Sequence, residues 1–152
     1  MEQLDSLRFP LRPVEGWPPV SDECMPLQRT DSGYAVVVPP LFLKGLSVGD
    51  VIEVTLDGAD AQVLHWRHVH RSEHSTIWML VVKAEGSGGL RAVLDELRAI
   101  GCGTSEAERL GVYAVDVPAD VSMAAVDALL ADLDRSAIAV AFPSFRHVES
   151  ER

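Results

Sequence analysis

The chain is poor in cysteine, in positive charge and in long apolar runs, and each shortage excludes a class of protein. Only Cys24 and Cys102 are present, too few for the disulfide framework of a small secreted domain. The longest apolar runs, 77–82 and 137–142, have the length of strands and fall far below a membrane span. The opening residues, MEQLDSLRFPLRP, carry acidic groups where a secretory signal has basic ones, and no unbroken apolar stretch follows. A cytoplasmic location is the expectation. Lys and Arg number 13 against 23 Asp and Glu in 152 residues, a formal net charge of −10. Residues 1–75 and 76–152 carry −5 each, so no basic lobe hides in the average. A field of that sign repels phosphate backbones, which speaks against nucleic acid and favours solubility or a basic protein partner. A G-x-S-x-G elbow, an H-E-x-x-H pair and a Walker lysine are also lacking.

What is present is a chain of ordinary globular composition, 47% hydrophobic and 24% charged, long enough for one domain or two very small ones. The carboxy-terminal half is the more legible. Ile77-Trp78-Met79-Leu80-Val81-Val82 is a continuous apolar run, as in a strand buried on both faces. After Gly86, Gly88 and Gly89, Leu90, Val93, Leu94 and Leu97 recur at helical spacing, and Gly101 is placed to end that helix. Residues 104–110 read as a polar edge strand and 112–117 as a second central one. Ser122 is an N-cap for a helix carrying Val126, Leu129, Leu130 and Leu133, and 138–145 is a last strand. Right-handed crossovers turn the order βαββαβ into a ferredoxin-like sandwich, four antiparallel strands covered on one face by two helices. The other face then needs a cover from the amino-terminal half, a sister protomer in a homodimer, or a partner.

The amino-terminal half is β in character. Residues 7–14 form a proline-interrupted strand and 15–20 a rigid turn. Strands follow at 34–38, 51–56 and 62–70, with turns at 45–50 and Asp57-Gly58. The expected architecture is therefore α+β. An N-terminal small β-barrel or curled sheet (1–72) precedes the sandwich (73–148), with a tail at 149–152.

The motifs Gly16-Trp17-Pro18-Pro19-Val20, Leu46-Ser47-Val48-Gly49-Asp50-Val51, His74-Ser75-Thr76 and Gly101-Cys102, in that order, resemble a bacterial family, the domain of unknown function 4265, over roughly residues 9–147. Met25 stands where such sequences often carry an aromatic, and Pro39-Pro40 where one proline leads into aromatics. The resemblance implies no settled activity, cofactor or substrate.

The histidine cluster is the most suggestive local feature, with His65, His68, His70 and His74 inside ten positions. On a strand His68, His70 and Trp66 share a face. Two imidazoles at i and i+2 chelate a divalent metal when a third ligand joins them, here Glu73, His74 or His147. Arg67 and Arg71 oppose a cation there, and a structural or solvent-exposed role is the ordinary reading. Gly86-Ser87-Gly88-Gly89 stands where phosphates bind helix N-termini, yet lacks the G-x-G-x-x-G spacing and has Glu85 beside it, so it reads as a turn. Cys102, just past a helix end, reads as a packed small hydrophobe, and Cys24 has Asp22 and Glu23 beside it, which disfavours a thiolate. Asp127 and Asp134 fall on the polar face of the second helix, solvated or docking a basic protein. Trp17, between glycine and prolines, is a packed corner or an exposed anchor.

The leading expectation is a non-enzymatic cytoplasmic protein, accessory or immunity-like, that binds another and basic protein, with Trp17, Asp127 and Asp134 as contact residues and no cofactor. One alternative is a small-molecule-sensing module with its ligand between the two subdomains. The other is a metal-dependent enzyme using His68, His70 and His74.

Overall fold

The computed structural model describes residues 4–58 and 61–147; the tail expected at 149–152 lies outside them. Five strands make the amino-terminal unit: β1 (Leu4–Pro10), β2 (Asp22–Thr30), β3 (Gly33–Val36), β4 (Val51–Asp57) and β5 (Gln62–His70). They pair antiparallel in sequence order and close into a barrel where β1 meets β5 in parallel, at Arg8 and Gln62. Alternation sends Leu7 and Phe9 of β1, Met25 and Leu27 of β2, Ile52 of β4 and Val63 of β5 into one apolar core.

β1 starts earlier than the expected 7–14 and stops at Pro10. β2 is a strand that the residue pattern conceals, since Asp22, Glu23 and Pro26 are poor strand formers. It forms because Met25 and Leu27 can be buried, and because β3 pairs only with residues 27–30 of β2. Beyond Leu27 that side of β2 has no ladder for a proline to interrupt.

The second unit follows as β6 (Ser75–Val81), α1 (Leu90–Ala99), β7 (Gly103–Ala107), a 3-10 turn (Glu108–Leu110), β8 (Val112–Val117), α2 (Met123–Leu130) and β9 (Ile138–Ser144). Its sheet has the order β7-β8-β6-β9 with every pairing antiparallel. Val93, Leu94 and Leu97 of α1 and Val126 and Leu130 of α2 pack with Ile77 and Met79 of β6 and Val115 of β8. The chain is thus mostly β, an α+β protein with one closed barrel and one sheet carrying two helices.

Two element ends differ from the sequence reading. The strand expected over 104–110 stops at Ala107, where the chain tightens into the 3-10 turn and leaves it through Gly111 at φ 71. The second helix ends at Leu130, so Asp134 is not on its polar face. Short-range bonds from Asp132 N to Leu129 O and from Leu133 N to Leu130 O carry the chain on, and Leu133 reaches the core from this tighter turn. The first helix ends as its sequence indicates. Gly101 adopts φ 111 and its N–H donates to Arg98 O, while Cys102 N donates to Leu97 O, the paired bonds of a glycine-terminated helix.

On the sheet face opposite the helices lie Thr76 and Trp78 of β6 and Ala114 and Asp116 of β8, all buried. The chain covers them itself. Segment 37–50 crosses this face with Pro39, Pro40, Phe42 and Leu46 buried, Trp78 Nε1 donates to Pro40 O at 2.8 Å, and Thr76 Oγ1 donates to Leu46 O at 3.3 Å. Among the described residues no helix is long and apolar enough to cross a membrane.

Candidate functional site

The densest polar cluster sits where the barrel meets the second sheet. The turn Ser47-Val48-Gly49-Asp50 leads into β4, with Gly49 at φ 92, and it places the Asp50 carboxylate at 0% exposure. Ser47 N donates to Asp50 Oδ2 at 3.0 Å and Ser72 N to Oδ1 at 2.9 Å. His68, at the barrel end of β5, donates from Nε2 to Oδ2 at 3.0 Å. Arg146, two residues past β9, grips both carboxylate oxygens with its two terminal nitrogens. The same guanidinium donates to Ser72 O at 3.0 Å and Gly45 O at 3.1 Å. Burial opposes ionisation of Asp50. Arg146, the two backbone N–H groups and His68 outweigh it, and the carboxyl is held below its ordinary value.

Around this pair the contact between the units is filled with hydroxyls and imidazoles. Ser47 Oγ lies 2.9 Å from Thr76 Oγ1 and donates to Ser144 Oγ at 2.9 Å. The hydroxyl of Ser75 accepts from Arg146 N and His147 N and lies 2.7 Å from His147 Nδ1. Since His147 Nε2 faces the carbonyls of Pro118 and Val121 at 2.9 and 3.1 Å, Nε2 carries the proton and Nδ1 accepts from Ser75. His74 Nδ1 bonds Asp116 Oδ1 at 2.7 Å. Burial, set against that imidazole, raises the Asp116 carboxyl above its ordinary value.

The structure disperses the three histidines considered as metal ligands. His68 turns into the barrel end with Trp66, ring centroids 5.3 Å apart, and is held by Asp50, while His74 is held by a different carboxylate. His70 is exposed. The alternation expected to put His68 and His70 on one face is broken by a bulge, because Val51 pairs with His70 and the next residue, Ile52, pairs with His68. Among the described residues no three His, Cys, Asp or Glu side chains group so as to hold a metal ion.

Of the residues expected at an interface, Trp17 is half-buried and packs edge-on against Phe42 at 5.7 Å. Asp127 is exposed on α2. Asp134 is exposed but occupied, its Oδ1 accepting from Ser136 N at 2.9 Å and Ser136 Oγ at 2.6 Å. Cys102 is buried in the helix-side core, where burial, then Asp116, pushes its thiol up to about 11.

Two groups that the sequence reading passed over matter more. Glu23 of β2 accepts from the N–H groups of Leu41, Phe42 and Leu43 at 2.7, 2.9 and 3.1 Å, holding the covering segment to the barrel. Its burial raises the carboxyl against those three bonds. Asp50 and Arg146 were invisible as a pair, although Asp50 belongs to one of the motifs that carry the family resemblance. His74, Ser75 and Thr76, another of those motifs, line the same contact.

The family model for the domain of unknown function DUF4265 matches residues 23–140. The chain belongs to the DUF4265 family. No curated protein matches this DUF4265 chain. Its fold is similar to that of a hypothetical protein from Neisseria gonorrhoeae solved by crystallography, with a TM-score of 0.71 over 98% of this chain and 99% of that one. At 12% identity the likeness is one of fold alone.

Proposed function

We propose that this DUF4265 chain is a non-enzymatic, cytoplasmic accessory protein, immunity-like in kind, that works by binding a basic protein, and that its second unit is a ferredoxin-like sandwich. The βαββαβ order and the sheet order β7-β8-β6-β9 support the sandwich. The observation that carries the binding reading is an aromatic pair on the surface. Phe142 and Phe145, 42% and 49% exposed, meet edge-on with ring centroids 5.7 Å apart. They stand at the end of β9, immediately beside the buried clasp of Arg146. Aromatic side chains, phenylalanine among them, are enriched in protein interfaces, and an exposed aromatic pair suits one. The ionisable groups of the clasp are engaged with one another and with backbone, which supports a structural task for them. The net charge of −10 favours a basic partner and speeds its approach.

The test is affinity capture from native lysate followed by reconstitution with the purified partner, comparing wild type with the double variant F142S/F145S. A basic partner bound at least about tenfold more weakly by the variant, a difference of ~1.4 kcal/mol, supports the reading. Recovery of no partner, or equal binding by a folded double variant, refutes it.

A further inference from the structure

The free edges of the two sheets differ. The barrel closes on itself. In the other sheet β9 is an edge blunted by Pro143 and by a register shift against β6 between Thr76 and Trp78, both devices that discourage strand addition. The opposite edge has neither. β7, Gly-Thr-Ser-Glu-Ala, pairs with β8 through five consecutive residues without a shift, and among the described residues it pairs with β8 alone. Alternate residues of such a strand turn their N–H and C=O groups outward. Helix α1 also holds this strand in place. Arg98 donates from Nε to Thr104 Oγ1 at 3.0 Å and from Nη2 to Glu106 Oε2 at 2.8 Å, and Arg91 adds two bonds to the Glu106 carboxylate.

We infer that β7 is a dimerisation edge and that its occupant is β7 of a second copy of this chain, paired antiparallel about a two-fold axis at Ser105. Three features fit that register. On the face away from the helices Gly103, Ser105 and Ala107 are small, so the pairing meets no bulk. On the helix side the partner's Glu106 stands opposite Thr104, the residue that Arg98 already touches, and the symmetry makes two such Arg98–Glu106 contacts between chains. Beyond the strand ends, Ile100 and Leu110 are apolar and 39% and 44% exposed in the single chain. These two side chains flank β7, one at each end, and give a pairing there apolar surface to bury. The charge of −10 on each copy opposes association at long range but is screened beyond about 8 Å at physiological ionic strength.

The inference stands apart from the binding role proposed above and is tested by mass in solution. Size-exclusion chromatography with light scattering at micromolar concentrations is expected to give twice the 16.5 kDa chain mass. R98E and E106R, changes at exposed side chains, each turn two attractive contacts repulsive and are expected to weaken the dimer by about tenfold or more; R98E/E106R restores it. T104P removes an edge donor, since the hydrogen-bonded pairs of the β7–β8 ladder are those of Gly103, Ser105 and Ala107 and the Thr104 N–H turns outward. It gives monomer, its fold checked by circular dichroism; should it not fold, the charge variants decide. F142S/F145S leaves the dimer unchanged. A monomeric wild type, a dimer indifferent to either charge reversal, a double swap that stays monomeric, or a dimer lost in F142S/F145S overturns the assignment.

Discussion

Arg146 forks onto Asp50 across 96 residues of sequence, joining the chain just past the last strand of the second sheet to the turn that enters the fourth strand of the barrel. Asp50 is fully buried and the Arg146 side chain is 15% exposed, so the pair is largely shielded from water. The pair, with Ser47, Ser72 and His68 completing it, sets how the two units sit against each other.

Removing one partner of such a pair leaves the other as an uncompensated buried charge. R146A is therefore expected to destabilise the protein by about 3–5 kcal/mol. Urea unfolding measures it, and D50N/R146M in a double-mutant cycle is expected to lose less than the sum of the single changes. Additive losses would show that the two residues act independently.

The pH dependence follows from two carboxyls shifted in opposite directions. Asp50 is held below its ordinary value, so its contribution is present above the unfolded-state pKa and is lost as pH falls through the folded one. The stability deficit of D50N relative to wild type should shrink as the solution is acidified past the ordinary aspartate value. Asp116 is raised, so its contribution is complete below the ordinary value and is lost as pH rises through the raised one. D116N should flatten the decline in stability on that side. Thermal melts from acid to neutral pH read both effects.

The two thiols should separate cleanly. Cys24 is exposed and Cys102 buried, the latter with its pKa pushed up to about 11. Titration of native protein with a thiol reagent near neutral pH is expected to modify Cys24 quickly and Cys102 only after denaturant is added. Rapid reaction of both in the native state would place Cys102 outside the core.

Gly49 is the backbone hinge on which the Asp50 turn depends. Its φ is 92, and a Cβ there would lie 2.9 Å from Ser72 Cβ. G49A combines a left-handed strain with a steric push on the segment that donates to Asp50, and a loss of about 1–3 kcal/mol is expected. Equal stability of G49A and wild type would show that the turn relaxes freely.

Elements with a strong local period were legible. The α1 stripe Leu90, Val93, Leu94 and Leu97, its Gly101 stop, and the apolar strands β6 and β8 follow from residue spacing. β2 was not legible, because Asp22, Glu23 and Pro26 mask a strand whose formation rests on Met25 and Leu27 reaching the barrel core. The face that His68 and His70 were expected to share differs for a related reason. Spacing along one strand assumes strict alternation, and a bulge between positions 68 and 70 changes which side chains turn inward.

The sequence alone determined the net negative charge, which segments are apolar enough to be buried, and where the glycines and prolines end them, since the last two depend on neighbours a few positions apart. The tertiary structure decided that segment 37–50 covers the sheet, that Glu23 caps Leu41 to Leu43, and that Arg146 meets Asp50. Those bonds join residues tens of positions distant, and a buried charge finds its counter-charge only once the folded backbone has brought the two together.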